Sequence, residues 1–296
     1  MGVQLIVVDV MRFGAHKFLW MVISIAAVMA CSPKPSTDSA DSAQTQFKAQ
    51  IVATSRPLML IAKEITQGID DLSTVAASAD SHDTALTPSE LKRLRESDLV
   101  LWLGADAEPG LAEQLEGLSA ADPQTWLSLP DSRAHKGEKD PHFWFSSAQV
   151  AAYAEGLSDA LSKMYPERAS WYGGNLASFK QRLNQIDKQT TNMNGVKYLA
   201  AIDVYQSLEQ QTGIEFDGAL ADHDQPIRPG RLQQAAKSGA SCILASTLSQ
   251  PDALDRFDWI VIDELMRGVS SYTEGLNQAI SLVRDCQKNK VEAQLK

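Results

Sequence analysis

Between about residue 167 and residue 192 the chain carries one long helical pattern, almost free of glycine after Gly174. At 1.5 Å per residue such a helix would reach about 39 Å, the full width of a domain. Strand-like apolar runs alternate with helical spacing on both sides of it, so it connects two folding units. Ahead of it, residues 50–54 read as a short strand. Leu58 to Gly68 has helical apolar spacing closed by glycine. Residues 73–77 read as a weaker strand. Thr87-Pro88-Ser89-Glu90 has the makings of a capping box with proline in the first turn. Residues 98–104, containing Leu99-Val100-Leu101-Trp102-Leu103, read as a buried strand, and a further helix follows Ser146 as far as Pro166. Beyond it come a strand over 198–203, a helix to Thr212, a strand around 216–221, a helix from Pro229, a strand over 242–246 and a strand Trp259-Ile260-Val261-Ile262 closed by Asp263. The expected fold is α/β: two α/β lobes with mostly parallel sheets, residues 49–165 and 196–290, joined by a long rigid connecting helix over 166–195.

The first 48 residues have a different character. Arg12, His16 and Lys17 precede an apolar run over residues 18–30, which is short for a bilayer span and suited to a signal-peptide core. The run ends in Val28-Met29-Ala30-Cys31, which resembles a bacterial lipobox. Residues 1–30 are therefore expected to be a lipoprotein signal peptide, with Met11 as a candidate start and Cys31 as the lipidated residue. An ordinary secretion signal with an incidental cysteine is the alternative. Residues 31–48, rich in Ser, Thr, Pro, Asp and Ala, read as a flexible tether. The expected location is an exported, membrane-anchored lipoprotein facing the periplasm or the cell exterior. The chain has three cysteines. If lipid consumes Cys31, Cys242 and Cys286 remain to pair in an oxidising compartment, the alternative being two buried thiols.

A net charge of −10 excludes a nucleic-acid groove, which needs clustered Lys and Arg. The sequence holds no G-x-S-x-G elbow, Walker loop or H-E-x-x-H helix, so catalysis is not expected. Ligands of open parallel sheets bind beyond the carboxyl ends of the strands. Several polar groups stand at such ends: His82 in Ser81-His82-Asp83, Asp203, His223 in Asp222-His223-Asp224, and Asp263. His142, in Asp140-Pro141-His142-Phe143-Trp144, sits at the entry to the central helices. Imidazoles and a carboxylate meeting in one cleft suit a borderline metal ion. Each group also has a plainer reading, His82 and His223 as surface residues and Asp263 as a helix cap. Trp102 and Trp144 read as core packing.

These stretches together resemble the zinc- and manganese-type solute-binding proteins of bacterial ABC importers. The resemblance rests on Ser81-His82-Asp83, on residues 86–103 (with Pro88, Ser89, Lys92, Leu94, Asp98, Leu99 and Trp102), on residues 140–144 and on Asp203-x-Tyr205. It covers essentially all of the chain from Ile51 onward. It implies a metal held between two lobes, with His82 and His142 on the first two histidine ligands and Asp263 on a late carboxylate used by some members. The Cys242/Cys286 pair matches a disulfide of the zinc branch. Two departures stand out. The third ligand, His or Glu in the family, falls on Ile202, which cannot ligate. Before Asp140 there is no long His-rich loop, His135 being all that remains. His223 or Asp203 are the candidate replacements.

The resemblance thus implies a metal-binding lipoprotein, expected to be a monomer, that passes Zn²⁺, with Mn²⁺ second, to an ABC-importer permease. The rival is a degenerate member of the same scaffold that binds a partner or another ligand and holds metal weakly or not at all. The lipobox reading has a direct test. Cys31→Ser should shift the protein from the membrane fraction to the soluble fraction, because the acyl tether is lost. An unchanged membrane fraction would remove the lipoprotein expectation.

Overall fold

Every strand pairing in the two sheets is parallel, and each sheet has four strands in the same kind of order. The computed structural model describes residues 48–75, 86–105, 107–109, 111–112, 114, 126–128, 141–190, 192–202, 204–221, 230–231, 233, 237–247 and 259–295. The first sheet contains β1 (Gln50–Ala53), β2 (Asp71–Thr74), β3 (Leu99–Trp102) and β4 (Trp126–Ser128) in the order β2-β1-β3-β4. The second contains β5 (Lys197–Ala200), β6 (Glu215–Ala219), β7 (Cys242–Ser246) and β8 (Trp259–Ile262) in the order β6-β5-β7-β8. Parallel strands need crossovers, which here include the helices α1 (Arg56–Thr66), α2 (Pro88–Glu96) and α5 (Gln206–Thr212). Between the sheets run α3 (Ser147–Met164) and α4 (Ala169–Gln189), and α6 (Tyr272–Leu295) follows β8. The expected two-lobe α/β fold with parallel sheets is what the chain adopts.

Local chemistry sets the helix ends. Thr87 Oγ1 accepts from Glu90 N at 3.3 Å while Glu90 Oε2 accepts from Thr87 N at 2.8 Å, completing the box before α2. At the end of α1, Gln67 itself turns left-handed (φ 49°), with its N–H on Lys63 O at 3.0 Å, and Gly68 (φ 82°) follows.

Three segments differ from the sequence expectation. The second strand lies at Asp71–Thr74 rather than 73–77, because its pairing with β1 runs from Gln50↔Asp71 to Ala53↔Thr74. As a polar edge strand, it has no strong alternation to mark it. β4 is three residues long, too short to show periodicity. The central helical pattern is shorter than it looked: a 3₁₀ turn (Pro166–Arg168) links α3 to α4, and α4 ends at Gln189. The two helices pack along one another and share the connection.

α4 is tied closely to the first lobe. Trp171 Nε1 donates to Thr66 O at 3.1 Å and Asn175 Nδ2 to Ile65 O at 2.8 Å. Asp70 is buried, and accepts from Arg168 Nη1 at 2.7 Å, Tyr172 Oη at 3.0 Å and Ala49 N at 3.1 Å. A buried carboxylate with three donors, one of them cationic, is compensated for its lost hydration. In the second lobe Cys242 on β7 and Cys286 on α6 form a disulfide with Cα atoms 5.5 Å apart. Closing a loop of 44 residues restricts the unfolded chain by about 4 kcal/mol in the entropy model. Reduction should therefore lower the melting temperature, and thiol labelling of both cysteines should require it. Labelling of both in the oxidised native protein would contradict the bridge.

A second buried carboxylate is less well served. Glu108 is fully buried; its Oε2 accepts from Leu103 N at 2.8 Å and Thr54 Oγ1 at 3.0 Å, and its Oε1 has no partner among the described residues. Burial pushes its pKa up to about 7, against the pull of those two donors. A carboxyl whose folded pKa lies above its unfolded value of 4.5 stabilises the fold fully below that value. The contribution is lost as pH rises through about 7, and amounts to about 3 kcal/mol at most. Glu108→Gln keeps the acceptor oxygen and removes the ionisation. The variant should melt above the parent at pH 8 and lose that advantage toward pH 5, as followed by thermal melts across pH.

Candidate metal centre

His142 is set in place by the turn that follows it. Phe143–Phe145 form a 3₁₀ turn whose three rings are all buried. Phe143 packs on Tyr153 of α3 with ring centroids 5.1 Å apart, and Phe145 packs on Tyr205, which precedes α5, at 6.4 Å. Tyr272, at the start of α6, donates from Oη to Trp144 O at 2.7 Å. The turn thereby touches helices from both lobes. The half-buried His142 stands edge-on to the Trp144 ring at 5.1 Å. Burying three aromatic side chains supplies several kcal/mol toward holding this one turn.

Asp263 directly follows β8, as the sequence implied, and its carboxylate is engaged. Oδ2 accepts from Arg267 N at 2.7 Å, and Oδ1 from Arg267 Nε at 3.1 Å and Leu265 N at 3.3 Å. The same arginine bonds Thr247. This is the capping alternative realised: Asp263 organises the loop after β8. The loop is also held from the first lobe, since Arg56 donates from Nε to Met266 O at 2.9 Å and from Nη2 to Val269 O at 2.7 Å. Lys63 Nζ adds a bond to Ser270 O at 2.9 Å. Met266 takes a positive φ of 51°, and a Cβ on Gly275 would come within 2.7 Å of its Sδ, so α6 approaches this loop at a glycine.

The residue after Asp263 was not anticipated. Glu264 is 7 % exposed. Ser246 Oγ, at the carboxyl end of β7, donates to its Oε1 at 2.8 Å, while Oε2 is buried with no partner among the described residues. Burial raises its pKa above the ordinary carboxylate range; the Ser246 hydroxyl and a positive His142 pull it back, and the charge of Asp263 adds to the rise. The hydroxyl of Tyr205 is pushed up by its own burial and by the charge of Glu264. His142, Asp263, Glu264 and Tyr205 therefore share one neighbourhood at the carboxyl ends of β7 and β8. A glutamate directly after a strand that ends beside a serine-terminated strand was the available signal for it.

Ile202, at the end of β5, is half-buried and packs on the hydrophobic core. His82, Asp203 and His223 lie outside the described residues, as do Cys31 and His135. Among the described residues no group of three His, Cys, Asp or Glu side chains is drawn together tightly enough to hold a metal. His142 and the two acids are neighbours without forming a coordination sphere. A cavity of about 480 Å³ lies elsewhere, where α3 begins and α4 and α5 end. It is lined by Ser147, Asp187, Asn192 and Gln211 among others, but not by His142 or Asp263.

The arrangement of paired parallel sheets, with an imidazole between them and acids at the strand ends, matches a known family. The family model for ZnuA, the periplasmic zinc-uptake complex component A, covers residues 51–258. The chain belongs to this family. One relative is the high-affinity zinc uptake system protein ZnuA of Haemophilus ducreyi, 24 % identical over 252 residues, or 71 % of this chain and 81 % of that protein. Another is the manganese ABC transporter substrate-binding lipoprotein PsaA of Streptococcus mitis. It is 24 % identical over 183 residues, 57 % of this chain and 58 % of that protein. A crystal structure of ZnuA has the same fold, with a TM-score of 0.68 at 16 % identity, covering 81 % of this chain and 99 % of its own. Family membership places the chain among the zinc- and manganese-type solute-binding proteins of metal importers. No described helix is long and apolar enough to cross a membrane.

Proposed function

We propose that the protein is an extracytoplasmic receptor, lipid-anchored through Cys31, that captures Zn²⁺ between its lobes and delivers it to an ABC permease. Mn²⁺ is the second candidate. The observation that carries this reading is His142, fixed by the buried Phe143–Phe145 turn between helices of both lobes and neighboured by Glu264 and Asp263. The family match over residues 51–258 supports the same cargo class. In this reading His82 and His142 supply imidazoles and Asp263 is the late carboxylate, with His223 and Asp203 as candidate replacements for the position that Ile202 occupies. Imidazole favours Zn²⁺, and each added carboxylate makes Mn²⁺ more competitive.

A second reading has its own support. Ile202 is packed on the core and the oxygens of Asp263 are taken up by Arg267 and Leu265, which fits a degenerate scaffold with weak metal binding that serves a partner or another ligand. Calorimetric titration with Zn²⁺ and Mn²⁺, together with elemental analysis of the purified protein, separates the two. The transport reading expects one Zn²⁺ per chain, weakened at least ~10-fold in His142→Ala, and weaker at lower pH because its ligands must be deprotonated. Failure to bind either ion would leave the second reading standing.

A further inference from the structure

Resting on the metal-uptake reading above, we propose that Glu264 is the metal ligand that compensates for isoleucine at position 202. Each sheet reverses its strand order once, between β1 and β3 in the first and between β5 and β7 in the second, and ligand crevices open at those reversals. Ile202 stands just after β5 and Ser246 ends β7, so the two flank the reversal in the second sheet. Ile202 contributes only hydrocarbon there. Ser246 contributes a hydroxyl that grips one oxygen of Glu264 at 2.8 Å. The Glu264 carboxylate is thereby brought from β8 toward the crevice that the lost ligand would have lined.

Its second oxygen makes the case. Oε2 is buried, has no partner among the described residues, and belongs to a side chain more than nine-tenths buried. Buried polar atoms in native proteins are satisfied with few exceptions, and an exception calls for an occupant. A cation suits an acceptor-only carboxylate, and the charge of His142 already acts on this one. The Ser246 hydroxyl on Oε1 is the kind of outer support that orients ligating carboxylates. Asp263, by contrast, has both oxygens occupied by the Arg267 and Leu265 donors. Of two adjacent acids, one holds the loop and the other has a free oxygen. The resulting donor set of His82, His142 and Glu264 has two imidazoles and a carboxylate, enough for Zn²⁺ with a further open or water-filled position.

The test uses the full chain in detergent, stripped of metal and titrated with Zn²⁺ alone, with Co²⁺ absorption as a second readout. Glu264→Gln retains size and the Ser246 contact but loses the anionic donor; Glu264→Asp keeps the charge and withdraws it by one methylene. Both should weaken Zn²⁺ by ~10-fold or more, and the Co²⁺ visible bands should change in Glu264→Gln. Metal-free Glu264→Gln should melt no lower than the parent, since a ligand without its cation adds nothing to the apo fold. Binding that is lost in His142→Ala yet unchanged in affinity and Co²⁺ spectrum in Glu264→Gln overturns the role of Glu264 and leaves the metal-uptake reading intact. A parent chain that binds neither Zn²⁺ nor Mn²⁺ overturns both.

Discussion

The packing of one aromatic turn governs what this molecule can do with a metal. Phe143, Trp144 and Phe145 are buried among Tyr153, Tyr205 and Tyr272, residues that belong to helices of both sheets' lobes. Non-directional apolar burial fixes the turn, and the Tyr272 hydroxyl on Trp144 O removes the remaining freedom of its backbone. His142 precedes the turn, so an imidazole on a loop acquires a position as defined as one on a helix. Replacing any of the three rings would disturb the imidazole without touching it, because the cavity left behind relaxes through the same turn.

The two sheets solve the same local problem in the same way. In each, a hydroxyl at the carboxyl end of a central strand donates to a buried glutamate, Thr54 to Glu108 and Ser246 to Glu264. In each, one oxygen of that glutamate is unpartnered, and a buried tyrosine, Tyr153 or Tyr205, feels its charge. The difference lies in what else is near. Glu108 is fully sealed, takes a second donor from Leu103 N, and is pushed up to about 7, a carboxyl that the fold prefers neutral. Glu264 has His142 beside it, which pulls in the opposite direction from burial. A cation is the natural partner for the second and has no place at the first.

Much of the fold was legible in the sequence because periodicity and caps are local. Thr87 and Glu90 close their box as spelled, the apolar runs at 99–102, 242–246 and 259–262 are strands, and Cys242 pairs with Cys286. What escaped was set by neighbours rather than by local pattern. Asp71–Thr74 is a strand because β1 supplies its register, and Trp126–Ser128 is one because β3 does. The helix Tyr272–Leu295 was legible but overlooked: Tyr272, Leu276, Ala279, Ile280 and Val283 recur at helical spacing and are all buried. At the site, His142 and Asp263 stand where their strings put them. The burial of Glu264 depends on Ser246, eighteen residues away, and nothing within Asp263-Glu264-Leu265 reports it.

The pair Asp263 and Glu264 shows how a scaffold absorbs the loss of a ligand. An acid that caps a loop through three donors contributes stability whether or not metal is present, whereas an acid with a free buried oxygen stabilises the apo state little and the loaded state a great deal. Arg56 holds the same loop from the first lobe through Met266 O and Val269 O, so the loop carrying both acids answers to both halves of the molecule. Any movement of one lobe relative to the other must break those two charge-assisted bonds or carry the loop along. In the second case Glu264 would be moved relative to His142. Release of a cation held between them then becomes a consequence of lobe movement, with no change needed in the ligands themselves.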